Sequence, residues 1–165
     1  MEFDFDEPDM FTTGAIGPKG QRVFFLQAQQ GDNIAAVKIE KQQVATLANY
    51  LEQLLEMLPP SENEPIELLE EPDDPNTLLW TAGGMEIGYS ANQDKIALFI
   101  EELDADEAAE DTLSESLDRI RVFLRRDQTL AFIRRAREII AAGRPLCRFC
   151  GEPLNTDDGF CPCAN

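Results

Sequence analysis

One pattern occurs twice in this chain, and it limits the fold more than any other feature. Val37, Ile39, Lys41 and Gln43 return 85 residues later as Val122, Leu124, Arg126 and Gln128. Each time an alternating apolar run ends, a basic residue follows, and a helical stripe begins. The stripes themselves run in parallel: Val44, Leu47, Ala48, Leu51, Leu54 and Leu55 match Thr129, Phe132, Ile133, Ala136, Ile139 and Ile140. Both have the i, i+3, i+4, i+7 spacing of a helix with one buried face. Upstream, Phe11-Thr12-Thr13-Gly14-Ala15-Ile16 is similar to Trp80-Thr81-Ala82-Gly83-Gly84-Met85. The repeat reads as one β-β-β-α unit present twice.

Strands fit that unit. Residues 10–16, 22–29 and 34–39 are β-rich runs, separated by Gly17-Pro18-Lys19-Gly20 and by Gly31-Asp32-Asn33, both turn signals for antiparallel hairpins. A helix over 41–58 follows. Residues 79–89, 95–103 and 119–124 play the same parts in the second half, with Ala91-Asn92-Gln93-Asp94 as a turn and Asp127 as the expected N-cap of a second helix ended by Gly143 and Pro145. The segment 59–75 combines prolines with seven acids and reads as a surface connection, and 104–116 is a second acid-rich stretch.

An amphipathic helix and a half-polar sheet each need a face to bury. The expected class is α+β: two β-β-β-α pseudo-repeats with antiparallel sheet packed against two helices, plus a small C-terminal zinc-ribbon-like tail. The halves cover about 10–58 and 78–143, the acidic linker 59–77, and the tail 144–165. Trp80 and the phenylalanines read as core, since aromatics scattered at strand spacing serve packing.

The net charge of -18 argues against a general nucleic-acid binder. It is unevenly placed: nine of the fourteen basic residues lie between Arg119 and Arg148, where the only acids are Asp127 and Glu138. Two readings follow. The basic segment either neutralises the acidic body within the fold or offers a basic face to an anionic partner. No apolar run is long enough to span a bilayer and the start is acidic, so a cytoplasmic protein with no membrane association is expected.

All four cysteines sit in the tail, as Cys147-Arg148-Phe149-Cys150 and, after ten residues, Cys161-Pro162-Cys163. That confinement suits a metal in a reducing compartment better than a disulfide framework. Four thiolates match the tetrahedral preference of zinc and leave no open position, so Cys147, Cys150, Cys161 and Cys163 are expected to hold one structural Zn2+. A redox pair is the rival reading, but such a pair opens a helix after a strand, and nothing after Cys150 looks helical.

The chain contains no histidine, which removes the commonest general base and every Ser-His or Cys-His nucleophile arrangement. Gly14-x-x-Gly17-x-x-Gly20 lies in a hairpin and opens no helix, so it reads as turn geometry rather than a phosphate loop. A non-catalytic protein-interaction or adaptor module is therefore expected, with Arg134, Arg135, Arg137, Arg144, Arg148 and Phe149 as candidate partner contacts. The alternative is a nucleic-acid-binding regulator in which Arg121, Arg125, Arg126, Arg134, Arg135 and Arg137 meet phosphate and sheet aromatics stack on bases. A third option, an enzyme using clustered carboxylates and a divalent ion, needs several acids in one pocket.

Taken together, Gly14-x-x-Gly17, Arg22-x-Phe24-Phe25-Leu26-Gln27-Ala28, Glu40-Lys41-Gln42-Gln43-Val44-Ala45, Arg121-Val122-Phe123-Leu124 and Ala142-Gly143-Arg144-Pro145-x-Cys147-x-x-Cys150 resemble the bacterial family called domain of unknown function 3090. The resemblance spans nearly the whole chain. It implies the fold and a four-ligand tail but no activity, and its members are often encoded near a phosphoinositide-kinase-like protein. The family usually has His-x-Cys as its second ligand pair, where this chain has Cys161-Pro162-Cys163; both patterns supply four zinc ligands.

Overall fold

The computed structural model describes residues 2–17, 22–59, 77–104 and 117–142. The elements are β1 (Glu2–Phe5), β2 (Met10–Ile16), β3 (Val23–Gln30), β4 (Asn33–Ile39), α1 (Lys41–Met57), β5 (Ala82–Ser90), β6 (Lys95–Glu102), β7 (Arg119–Leu124) and α2 (Arg126–Ala142). After one leading strand, three strands and a helix follow twice. The class is α+β, as expected, with two sheets: a three-stranded sheet β2-β3-β4 and a four-stranded sheet β1-β7-β6-β5. No described helix is long and apolar enough to cross a membrane.

Wholly antiparallel pairing does not hold, and the exceptions share a cause. β1 runs parallel to β7, with Glu2 opposite Arg119 and Phe5 opposite Val122. Residues 79–81 run parallel beside β4: the Leu79 N–H donates to the Ala36 carbonyl at 2.9 Å, the Lys38 N–H donates to the Trp80 carbonyl at 2.9 Å, and Lys38 and Thr81 form a bridge. In both places the segment leading into one three-strand set lies against the last strand of the other. Each last strand would otherwise present open backbone groups, which this pairing satisfies. The fifth strand therefore begins at Ala82 rather than at 79. Residues before 10, left outside the expected halves, supply a strand whose Glu2-Phe3-Asp4-Phe5 alternation buries Phe5.

Local chemistry sets the element ends. Gln30 pairs with Asn33 across the Gly31-Asp32 turn, and Gly31 takes φ +59°, which a residue without Cβ adopts freely. At the start of α1 the Glu40 carboxylate and the Gln43 amide form a capping box. The first helical bond of α2 runs from the Thr129 N–H to the Arg125 carbonyl at 3.0 Å, so Arg125 holds the N-cap position assigned above to Asp127. Asp127 lies inside the first turn, 3.1 Å from the Arg125 guanidinium, where a negative charge suits the helix N-terminus.

The inner faces of both sheets and the apolar stripes of both helices meet in one core. Leu26, Val37 and Ile39 of the first sheet join Leu98, Ile100 and Val122 of the second, with Val44, Leu47, Leu51, Phe132 and Ala136 from the helices. Phe11 of β2 and Phe132 of α2 stack with ring centroids 4.9 Å apart and a 32° tilt. Alternation in the strands and 3.6-residue spacing in the helices thus place every inward position in the same apolar interior.

Candidate functional site

Helix α2 has two faces of different chemistry. Phe132, Ile133, Ala136 and Ile139 are buried, while Arg134, Arg137 and Glu138 are exposed and Arg135 is half-buried. Of the candidate contacts, Arg134, Arg135 and Arg137 are therefore carried on one helix, with Arg134 and Arg137 one turn apart. Arg144, Arg148, Phe149 and the four proposed zinc ligands, Cys147, Cys150, Cys161 and Cys163, lie outside the described residues. Among the described residues no group of three potential ligands is placed to hold a metal ion.

The basic segment is joined to the acidic body by ion pairs. Arg119 pairs with Glu101 of β6, Arg121 lies 2.6 Å from Asp4 of β1, Arg126 lies 2.9 Å from Asp94, and Arg137 of α2 pairs with Glu52 of α1. Within α2, Arg135 and Glu138 approach to 3.8 Å. Partial exposure makes each pair weak, but together they offset the like-charge repulsion of a strongly acidic chain. On the outer face of the four-stranded sheet the first two pairs flank Phe99 and Phe123, which are diagonal neighbours and half-buried.

Asp94 is a local hub in the β5–β6 turn, at φ +49°. Its carboxylate accepts hydrogen bonds from the Tyr89 hydroxyl at 2.5 Å and from Arg126 Nε at 2.9 Å. The Tyr89 bond, aided by Arg126 and opposed by slight burial, holds Asp94 below the usual aspartate range. A lowered folded value means that the stabilisation is present above the unfolded value near 4 and is lost as pH falls through the folded one. Asp94→Asn keeps a residue that tolerates positive φ, and it is expected to lower stability at pH 7 by less than about 1 kcal/mol. The deficit should begin to shrink below about pH 4, where the unfolded-state carboxyl takes up its proton, and should vanish once pH has fallen through the lower folded value. Urea midpoints at pH 7 and pH 3 check this; an equal deficit at both would remove the electrostatic explanation.

Two glutamines, absent from the candidate contacts, fix the geometry of the helix starts. In α1 the Gln43 Oε1 accepts the Glu40 N–H at 2.9 Å, and its Nε2 donates to the Gly83 carbonyl at 3.2 Å. In α2 the Gln128 Oε1 accepts the Arg125 N–H at 3.1 Å, and its Nε2 donates to the Pro8 carbonyl at 2.6 Å. Each amide caps its helix and holds the chain entering the other set of strands. The clue was their common place in the repeat, but the long-range carbonyl partners depend on the fold.

Sequence reasoning also passed over the exposed face of α1. Thr46, Tyr50, Gln53 and Met57 recur at i, i+4, i+7 and i+11 and all face solvent, with Tyr50 59% and Met57 82% exposed. The signal was present: Tyr50 and Met57 are large apolar residues outside the buried stripe of Val44, Leu47 and Leu51. The Arg137–Glu52 pair ties α1 to the arginine-bearing helix.

The structure has the expected α+β class, and the family model decides membership, since it matches residues 3–161. The chain belongs to the family described as "Protein of unknown function (DUF3090)". The matched span includes every described element apart from Glu2, the first residue of β1, and reaches Cys161, the third of the four cysteines. No curated protein and no solved structure matches the chain. For this DUF3090 member, function must therefore be argued from its own residues.

Proposed function

We propose that the chain is a non-catalytic protein-interaction module. The exposed sides of α1 and α2 supply the docking contacts, and the tail is organised by structural zinc on Cys147, Cys150, Cys161 and Cys163. The observation that carries the reading is the kind of side chain the two helices expose: Tyr50 and Met57 on α1, Arg134 and Arg137 on α2. Tyr, Met and Arg are the residue types enriched at the centres of protein interfaces, and Tyr and Arg are frequent hot spots. The arginines favour a partner surface carrying carboxylates. The doubled β-β-β-α plan provides a rigid support, and the lack of histidine leaves the chain without the usual proton-transfer group.

The test compares capture from the lysate of source cells by the wild-type chain, by Tyr50→Ser/Met57→Ser and by Arg134→Glu. These are surface changes whose effect on stability should stay within about 0.5 kcal/mol. A protein held by the wild type should be lost or bound about tenfold or more weakly by the variants. Capture unchanged by all three substitutions overturns the assignment of these contacts.

A nucleic-acid-binding regulator is the second reading, favoured by Phe99 and Phe123 on an outer sheet face beside Arg119 and Arg121. The carboxylates paired with those arginines weigh against it. It requires an oligonucleotide shift that weakens steeply with salt.

A further inference from the structure

Strand register sets the outward residues of the four-stranded sheet in rows. One row is Phe123, Ala97 and Gly88, and the next is Arg121, Phe99 and Glu86, each running from β7 through β6 to β5. Alternation separates them from Val122, Leu98 and Ile87, which lie in or against the core on the other side. This outer face meets solvent. Arg121 and its neighbour Asp4 keep 39% and 49% of their side-chain surface exposed, Glu86 is exposed, and a Cβ added at Gly88 would meet no atom within 4 Å. The half-buried Phe99 and Phe123 are thus large apolar groups at a wet surface.

The two rows are complementary to themselves. A twofold axis along β6, in the plane between two facing sheets, brings the β7 side of one copy over the β5 side of the other. Phe123 then faces Gly88 of the second copy and Arg121 faces its Glu86, and each contact occurs twice. The first sets a large ring over a position with open space above it. The second sets a guanidinium against a carboxylate. Arg121 donates to Asp4 from Nε at 2.6 Å, and its planar fork has further N–H groups for a second carboxylate. Ala97 and Phe99 lie on the axis, and facing sheets stand about 10 Å apart, a gap that aromatic side chains from both sides fill. Glu101 and Lys95 also lie on the axis. Each is held within its own chain, Glu101 by Arg119 and Lys95 by the Asp6 carbonyl at 2.9 Å, which offsets the like-charge contact.

Charge favours a second copy over other occupants. The chain carries thirty-two acids against fourteen bases, so most of its surface repels another copy. This face has four acids, on β1, β5 and β6, and three bases, on β6 and β7. It is close to neutral and alternates in sign, which suits its own image better than a polyanion. We propose that the outer face of the four-stranded sheet is a homodimer interface, with Phe123 over Gly88 and Arg121 against Glu86 across a twofold axis along β6. The inference does not rest on the helix contacts proposed above. It also withdraws Phe99 and Phe123 from base stacking, so this dimer and nucleic-acid binding on the same face exclude each other.

The test is sedimentation equilibrium of the full-length chain under reducing conditions over a wide range of concentrations. The wild type should show a reversible monomer–dimer equilibrium. Gly88→Lys puts its side chain into space that is open in the monomer, so it should keep the wild-type circular dichroism and weaken association about tenfold or more. Glu86→Arg and Arg121→Glu should each weaken it similarly, because each sets like charges face to face at both contacts. Mixed in equal amounts, these two variants should associate with each other, since opposite charges meet again at both contacts. Damage to the fold would not recover on mixing. A wild type that stays monomeric, a dimer that Gly88→Lys leaves unchanged, or charge variants that fail to associate when mixed would overturn the proposal.

Discussion

Replacing Gln128 by glutamate is expected to lower the stability of the chain by about 3 kcal/mol at neutral pH, far more than its near-isosteric shape suggests. The Gln128 side chain is buried, its Oε1 accepting the Arg125 N–H and its Nε2 donating to the Pro8 carbonyl. A carboxylate can still accept the first bond. It cannot make the second, and it sets an anionic oxygen against a carbonyl in a site closed to water. The expected response is a raised carboxyl pKa in the folded state, from burial and the lost donor. The penalty is then absent below the unfolded value near 4.3, grows as pH rises, and is complete above the folded value. Urea unfolding at pH 7 and at pH 4 reads both parts, and recovery at low pH separates this cause from simple misfit. The same change at Gln43 should cost less, because that residue is only half-buried and its carbonyl contacts are longer, at 3.2 and 3.4 Å. Equal losses at the two sites, or a loss at Gln128 independent of pH, would contradict the assigned roles.

The contrast between those two glutamines shows what kind of information the sequence carries. Their place at the helix starts was legible, because a repeated basic residue and glutamine precede an apolar stripe in both halves. Strand β2 and strand β7 begin and end where their alternation predicts, and α1 differs from expectation by one residue at its end. Those are local signals. What remained hidden depends on partners distant in the chain. Glu2–Phe5 read only as part of an acidic start, since four residues cannot announce a parallel partner at Arg119 and beyond. Residues 79–81 read as the start of a strand because their run is β-rich, but their hydrogen bonds go to β4. The uneven charge was equally plain at the outset. Its resolution into Arg121–Asp4 and Arg137–Glu52 pairs follows from strand register and helix packing, which composition does not encode. The exposed Tyr50 and Met57 could have been found by asking which large apolar residues a helical stripe leaves over.

Protein purified under reducing conditions is expected to carry one zinc ion per chain, and Cys150→Ser or Cys161→Ser should abolish stoichiometric binding. Two closely spaced thiolate pairs can close a tetrahedron, and the fourth sulfur removes the site at which a catalytic zinc would bind water. Thiolates bind as deprotonated ligands, so uptake of the ion should release protons and weaken steeply as pH falls below neutrality. Cobalt substituted for zinc should give the spectrum of a four-sulfur tetrahedral site, a readout of ligand number that does not depend on activity. Loss of one thiolate leaves three ligands and an open position, and a serine hydroxyl cannot replace the missing anion at neutral pH. Among the described residues the apolar core joins both sheets and both helices from Phe5 to Ile139, so these variants should keep the helical and strand signal of the body. That separates loss of the metal from loss of the fold. Metal-free protein with four titratable thiols, or a Cys147–Cys150 disulfide under the same conditions, would rule out the structural site; an exchangeable water on the ion would reopen the question of catalysis.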